Sequence, residues 1–122
     1  MIDLDVLAGL RELQQPGQPD FVTELIDLFL NDTASQVTIL RAAIAGNDMP
    51  EVRRVAHLMK GSSANLGATR MAELYQELET LALGIRAAGS DGQTVLVRLE
   101  DEFHHVSEAL KAQRQESEKV MQ

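Results

Sequence analysis

Apolar residues recur every three or four positions along most of the chain, which is the spacing of amphipathic helices. No segment shows the two-residue alternation of a half-buried strand. The predicted helices span residues 3–14, 20–45, 49–66, 69–87 and 92–118. Asp20, Asp48 and Asp91 lie where three of these helices begin, and an aspartate there can accept hydrogen bonds from the unpaired first-turn N–H groups.

The breaks between the long helices are short, and short connections favour antiparallel neighbours. The pattern therefore predicts an all-α fold, an antiparallel up-and-down four-helix bundle with a short additional N-terminal helix. The 122 residues are enough for one domain with a single core. Aromatic residues make up only 3% of the chain, which also favours helices over a β-sandwich.

The inward faces of three long helices follow from the same spacing. For the helix at 20–45 the predicted face consists of Phe21, Val22, Leu25, Ile26, Leu28, Phe29, Ile39, Leu40, Ala43 and Ile44. For the helices at 69–87 and 92–118 it consists of Met71, Leu74, Tyr75, Leu78, Leu81, Ile85, Leu96, Leu99, Phe103, Val106 and Leu110. The periodicity is lost after Leu110, so we expect the chain to fray there.

The helix at 49–66 carries a histidine on its outer side. Its apolar stripe consists of Val52, Val55, Met59 and Leu66, with the small Ser62 and Ser63 between them. His57 falls almost opposite, so a helix that buries this stripe holds the imidazole in water. Gly61 lies one turn further on, although a mid-helix glycine costs about 0.5–1 kcal/mol relative to alanine. This combination indicates that another molecule must come close to the imidazole.

The charge distribution singles out the same helix. The formal net charge is −8, which disfavours general binding to nucleic acid or to an anionic membrane. No acidic residue occurs from Val52 to Ala72, a window that contains Arg53, Arg54, Lys60 and Arg70. A basic island around His57 suits a site for a compact anion, but four basic residues can equally serve to solvate an outer face. Charge alone fits both interpretations.

Several other chemistries lack the residues they need. The absence of cysteine excludes disulfides, thiol catalysis and thiolate metal sites. A di-iron bundle needs two inward Glu-x-x-His motifs, whereas the chain has one, Glu102 and His105, which projects away from the apolar stripe. His104 and His105 diverge by roughly 100° on a helix, so we expect them on the surface. Ser62 and Ser63 lack the strand-turn-helix motif of a serine hydrolase.

His57 offers a more specific chemistry. A neutral imidazole is a nucleophile that titrates near physiological pH, and an exposed one could attack a phosphoryl group and carry it as phosphohistidine. Lys60, at i+3, could neutralise phosphate oxygens, and Gly61 would leave room for a partner.

The stretch AHLMKGSSANLGA at 56–68 resembles the signature of histidine-containing phosphotransfer (HPt) domains, which read AHxLKGSSxxLGA in many members. The segments at 21–33 and 72–79 are similar to the helices that precede and follow it in that family. The resemblance implies that His57 accepts a phosphoryl group from the aspartate of one receiver domain and passes it to another. Lys60 would contact the phosphoryl group and Gly61 would leave access. Mg²⁺ and the acidic pocket would belong to the receiver, with no cofactor bound by this chain.

The resemblance leaves two parts of the site open. Some HPt domains place a glutamine of the following helix near the histidine, and here Gln76 and Glu79 are both candidates. The candidates for docking a partner are Arg53, Arg54, Leu58 and Ala64, together with residues of the helix at 20–45. For Leu58, partial burial at the edge of the bundle is an equal alternative.

Three other functions compete with the HPt hypothesis. A histidine-kinase dimerisation domain typically has an acid directly after the histidine and two helices per subunit, so Leu58 and the four-helix pattern argue against it. An HPt-like fold that has lost transfer is disfavoured because His57, Lys60 and Gly61 are all present. In a non-catalytic interaction bundle, the alternative function, His57 would be incidental.

The partners expected from the resemblance are receiver domains of response regulators, a hybrid sensor histidine kinase, or both. The chain would be a phosphoryl carrier of a two-component phosphorelay without kinase activity of its own, and a monomer, because a complete bundle needs no second subunit. No apolar run reaches the roughly 18 residues of a membrane span. Acidic residues near the start are unlike a signal peptide, so we expect a cytoplasmic location, as a separate protein or as part of a longer one.

Overall fold

The computed structural model describes residues 2–13, 21–84 and 91–121, with side chains described as far as Arg114. Within these ranges the chain forms α1 (Leu4–Glu12), α2 (Phe21–Ala45), α3 (Met49–Asn65), α4 (Thr69–Ala82) and α5 (Gly92–Met121). The described residues contain no strand, and the predicted all-α fold is confirmed. None of the helices in these ranges is both long and apolar enough to cross a membrane.

The helices lie close to their predicted bounds, with two differences at helix ends. α4 ends at Ala82 rather than at residue 87, because Gly84 adopts a φ of +83°, the left-handed conformation that commonly ends a helix. Ile85, predicted to face inward from this helix, lies outside the described residues. α5 continues to Met121, past the predicted end at 118 and through the stretch where we expected fraying.

The four long helices form a closed bundle. α3 contacts α2 and α4, and α5 contacts α2 and α4 on the other side, while α1 lies against α2. Turns of three residues, 46–48 and 66–68, fold α3 back on α2 and α4 back on α3. α5 runs antiparallel to α2, since Gly92 packs against Ile44 and Arg114 pairs with Asp27. The antiparallel bundle is the architecture that the helix pattern predicts.

The core consists mainly of aliphatic side chains, and one predicted face is partly wrong. On α2 the prediction placed Leu28 and Ile39 inside, but 66% and 38% of their surfaces are exposed. Each precedes a buried residue by one position, which turns it about 100° away from the core. The buried stripe passes instead through Thr33 and Val37, which the prediction omitted.

Aspartate side chains cap the N-termini of two of the long helices, as predicted. The backbone N–H of Glu51 donates to Asp48 Oδ1 at 3.3 Å, and that of Thr94 donates to Asp91 Oδ1 at 2.8 Å. The Thr94 hydrogen bond also lowers the pKa of Asp91. Asp20 lies outside the described residues.

Gly67 closes the turn between α3 and α4 and holds the start of α1. Its φ is +80°, and a Cβ atom at this position would lie 2.7 Å from the carbonyl oxygen of Asp3 and 3.1 Å from Val6 Cβ. The N–H of Asp3 donates to the Gly67 carbonyl at 2.7 Å. Only glycine combines this φ with so close an approach of α1.

We expect Gly67→Ala to lower the free energy of unfolding by about 1–3 kcal/mol, because alanine is strained at positive φ and its methyl group would meet backbone. Urea denaturation followed by circular dichroism measures the change. The control is Gly9→Ala in α1, where a Cβ atom would meet no described atom within 4 Å beyond its chain neighbours and the backbone of its own helix, and we expect a gain of about 0.5–1 kcal/mol. Equal effects of the two substitutions would contradict the role given to Gly67.

Candidate functional site

His57 lies near the middle of α3 and points away from the core. Its neighbours Ala56 and Met59 are fully buried, whereas 72% of the His57 side chain is exposed. The buried stripe of α3 is fixed between α2 and α4, and this fixes the direction of the imidazole on the opposite side. The structure therefore places His57 where the helical phase predicts it.

A carboxylate of α4 contacts two side chains of α3, His57 and Lys60. His57 Nδ1 lies 3.0 Å from Glu79 Oε2, and Lys60 Nζ lies 2.8 Å from Glu79 Oε1. Only 12% of the Glu79 side chain is exposed, so this carboxylate is held between the two helices and bridges the imidazole and the ammonium group.

The charges around Glu79 keep it ionised. The hydrogen bond from Lys60 lowers the pKa of Glu79 most, burial acts in the opposite direction, and the hydrogen bond from His57 lowers the pKa further. An ionised carboxylate can only accept hydrogen bonds, so His57 Nδ1 carries the hydrogen and donates it. The lone pair of the neutral imidazole is then on Nε2. The ring nitrogen with a free lone pair is therefore the one that does not contact Glu79.

The two residues that the sequence left as alternatives both reach the site, with different contacts. Glu79 contacts His57 and Lys60, whereas Gln76 accepts a hydrogen bond from Lys60 at 3.0 Å and donates one to Thr80 Oγ1 at 3.3 Å. The bridging role of Glu79 was not predicted. A signal for it was present, because Glu79 follows the buried Leu78 and lies one turn after the buried Tyr75.

Gly61 is exposed, and packing within the described chain does not require a glycine at this position. A Cβ atom at this position would meet no atom within 4 Å outside its own helix backbone. Ala64, predicted as a docking residue, is exposed one turn further along α3. The surface from His57 towards the end of α3 is therefore low, which leaves space for another molecule beside the imidazole.

The other predicted docking residues also lie on the surface. Arg53 and Arg54 are exposed, and Leu58 keeps 47% of its surface exposed. On the side of Leu58, α1, α2 and α3 enclose a groove of about 250 Å³. It is lined by Leu10, Leu25, Leu28, Phe29, Asp32, Ser62, Asn65 and Leu66. Leu28, wrongly predicted as a core residue, is thus a wall of this groove.

The remaining candidate residues do not form a second site. His104 and His105 are exposed on α5, with ring centroids 5.9 Å apart and His105 Nε2 3.9 Å from Asp101 Oδ2. Ser62 Oγ donates to the Leu58 carbonyl at 3.4 Å, and Ser63 is buried. Over residues 2–13, 21–84 and 91–114, no three histidine or acidic side chains are grouped so that they could hold a metal ion.

Comparison with known proteins gives one consistent family. The family model described as Hpt domain matches residues 24–116. A crystal structure of histidine-containing phosphotransfer protein B from Pseudomonas aeruginosa is similar, with a TM-score of 0.83 and 31% sequence identity. The match covers 94% of this chain and 95% of that one.

Curated relatives are similar over shorter segments. Histidine-containing phosphotransfer protein 5 of Arabidopsis thaliana is 35% identical over 65 residues, which are 51% of this chain and 41% of the relative. Histidine-containing phosphotransfer protein 2 of the same organism is 34% identical over 73 residues, which are 57% of this chain and 47% of the relative. Multistep phosphorelay regulator 1 of Schizosaccharomyces pombe is 24% identical over 79 residues, which are 65% of this chain and 27% of the relative. The chain spans less than half the length of these relatives.

The lowered pKa of Glu79 generates a pH-dependent prediction. Because its pKa is lower in the folded protein than its ordinary value of 4.5, the stability it contributes is present above that value and lost as the pH falls through the lowered one. We expect Glu79→Gln to cost roughly 1–2 kcal/mol of unfolding free energy at neutral pH. The difference from wild type should shrink in acid.

Urea denaturation of both proteins across a pH series measures this difference. The matched control is Glu73→Gln, which removes the exposed ion pair with Arg70 on the same helix. We expect that substitution to stay within about 0.5 kcal/mol of wild type. A Glu79→Gln difference that persists unchanged into strongly acidic solution would show that ionisation of Glu79 does not stabilise the fold.

Proposed function

This chain belongs to the Hpt domain family, and on that basis we propose that it carries a phosphoryl group on His57 between receiver domains of a multistep two-component phosphorelay. One receiver aspartate is the donor and a second one is the acceptor. The observation that carries the proposal is the contact between His57 Nδ1 and Glu79, which leaves the exposed Nε2 as a nucleophile.

The proposed reaction transfers the phosphoryl group without moving a proton. The Nε2 lone pair attacks phosphorus, the P–N bond forms as the P–O bond to the donor aspartate breaks, and the aspartate leaves as a carboxylate. Nδ1 keeps its hydrogen, so the phosphorylated ring is cationic. The ionised Glu79, 3.0 Å from Nδ1, stabilises that charge. Attack by the second aspartate on phosphorus reverses these steps and restores the neutral imidazole.

Lys60 is proposed to stabilise the phosphoryl oxygens. Its ammonium group has three donors, of which two are used by Gln76 and Glu79, and one is left for an oxygen of the phosphoryl group. Phosphoryl transfer depends mainly on positioning and charge stabilisation, which these fixed contacts supply. We propose that Mg²⁺ is held by the receiver and that this chain contributes no cofactor and no kinase activity.

The names of the relatives support a place in a relay. The Arabidopsis thaliana relatives are named histidine-containing phosphotransfer proteins, and the Schizosaccharomyces pombe relative is named a multistep phosphorelay regulator. The proposed partners of this chain are receiver domains of response regulators, of a hybrid sensor histidine kinase, or of both. A monomeric state and a cytoplasmic location stay predictions.

We expect a receiver domain phosphorylated on its aspartate to label the wild-type chain, with an acid-labile and alkali-stable label on His57 Nε2. Radiolabelled transfer measures the reaction, and ³¹P NMR distinguishes the two ring nitrogens. His57→Gln should take no label and keep its free energy of unfolding within about 0.5 kcal/mol, because the side chain is exposed. His104→Gln and His105→Gln should be labelled normally.

Two outcomes of that experiment would contradict the proposal. A label on His57→Gln would place the phosphoryl group on another residue. A wild-type chain that takes no label from any receiver of a broad panel would favour the alternative, a non-catalytic bundle that binds a signalling partner.

The open space at Gly61 gives a second prediction, with opposite effects on stability and transfer. Gly61→Ala should raise the free energy of unfolding by about 0.5–1 kcal/mol, because no described atom beyond the chain neighbours and the backbone of its own helix lies within 4 Å of the added methyl group. Transfer from the receiver should slow about tenfold or more, because the methyl group would displace the partner from the reacting atoms.

The matched control is Gly9→Ala, which should bring a similar gain in stability without any change in the transfer rate. If Gly61→Ala transferred at the wild-type rate, the partner would not approach this position closely.

A further inference from the structure

The basic residues around His57 differ in what they contact. Three of the four that lie between Val52 and Ala72 pair with a carboxylate of this chain. Arg54 Nε donates to Glu51 at 3.0 Å, Lys60 Nζ to Glu79 at 2.8 Å, and Arg70 to Glu73 at 3.0 Å. The charges of these three are therefore largely compensated before any partner arrives.

Arg53 is the exception. It is exposed, and among the residues that the structure describes no carboxylate lies within 4 Å of its guanidinium and no hydrogen-bond acceptor contacts it. The sequence explains the difference. Arg54 has an acid three positions before it, whereas the residues three and four positions from Arg53 are Met49, Pro50, Ala56 and His57. In a chain of net charge −8, this uncompensated cation stands out.

The position of Arg53 brings it next to the reacting histidine. Residues four apart on a helix are surface neighbours, with Cβ atoms about 5–6 Å apart, so Arg53 and His57 share one face of α3. Helical side chains lean towards the N-terminus, which inclines the imidazole over the turn that carries Arg53. A group that approaches Nε2 from solvent therefore comes within reach of this guanidinium, whereas Lys60 on the next turn is already engaged by Glu79.

We propose that Arg53 pairs with acidic groups of the receiver domain and steers it onto His57, while Arg54, Lys60 and Arg70 are held by this chain's own carboxylates. The proposal rests on the proposed function, because it assumes that the partner brings an anionic aspartyl phosphate to His57. An unpaired, exposed guanidinium suits this role, since it loses no internal ion pair on docking and attracts an acidic surface over a distance set by ionic strength.

The test compares Arg53→Ala with Arg54→Ala, an adjacent exposed arginine whose removal changes the net charge by the same amount. Initial rates of transfer are measured from a phosphorylated receiver at low and at high salt, using the receiver of a panel that labels wild type fastest. Phosphoramidate, a small phosphoryl donor without a docking surface, gives the rate of direct labelling of His57.

We expect Arg53→Ala to lower kcat/KM for transfer about 5–20-fold at low salt. At high salt, the kcat/KM of this variant should approach that of wild type. Arg54→Ala should lose only about twofold, clearly less than Arg53→Ala, because Glu51 already compensates the charge of Arg54. Arg53→Lys should retain most of the rate because it keeps the charge. Labelling by phosphoramidate should be the same within about twofold in all variants, because Arg53 acts on the receiver and not on His57.

Each other outcome overturns the inference. Equal losses of transfer rate in Arg53→Ala and Arg54→Ala would show that only the net charge matters. An unchanged transfer rate in Arg53→Ala would show that Arg53 does not contact the receiver. Slower labelling of Arg53→Ala by phosphoramidate would show that Arg53 acts on the reactivity of His57 and not on the receiver. A wild-type chain labelled by neither donor would instead refute the proposed function, and one labelled by phosphoramidate alone would refute a receiver as the partner.

Discussion

The bridge formed by Glu79 between Lys60 and His57 is the interaction on which the rest of the site depends. Burial by itself would favour a neutral carboxyl group, and the ammonium group of Lys60 reverses that preference. The resulting anion fixes the tautomer of the imidazole, holds the lysine beside it, and ties α3 to α4 at the level of the histidine. One ionised group thus determines both the tautomer and the position of the imidazole.

That bridge requires a fixed register between two helices, and the turn at Gly67 supplies it. His57 and Glu79 are 22 residues apart, yet the turn of residues 66–68 brings them within hydrogen-bond distance. A residue inserted within α4 ahead of Glu79 would rotate that side chain by about 100° around the helix and would remove the carboxylate from the imidazole. Asp3, the residue that caps α1, donates its N–H to the Gly67 carbonyl in the same turn, so the N-terminal helix supports the turn that sets the register of the site.

Local spacing predicted the helices and the outward direction of His57, because both follow from a single period. The spacing of α4 puts Glu79 beside the inward-facing Leu78, but its contacts with His57 and Lys60 depend on how α4 is placed against α3, so the choice between Glu79 and Gln76 stayed open. Leu28 and Ile39 were wrongly predicted to face the core because they are apolar residues on the flank of α2. The buried stripe contains the polar Thr33, so hydrophobicity alone does not locate it. The end of α4 was misplaced because Ile85 continues the apolar period although Gly84 ends the helix.

The single exposed face around His57 also has a kinetic consequence. The imidazole, the low surface at Gly61 and the uncompensated Arg53 all lie on one side of α3. Under the proposed function, donor and acceptor receivers would use the same surface in turn, and the first would have to leave before the second could bind. Such a carrier would follow a ping-pong scheme, in which an excess of one partner occupies the surface and slows transfer to the other. The relative abundance of the two receivers would then affect the rate of phosphoryl flow through this chain.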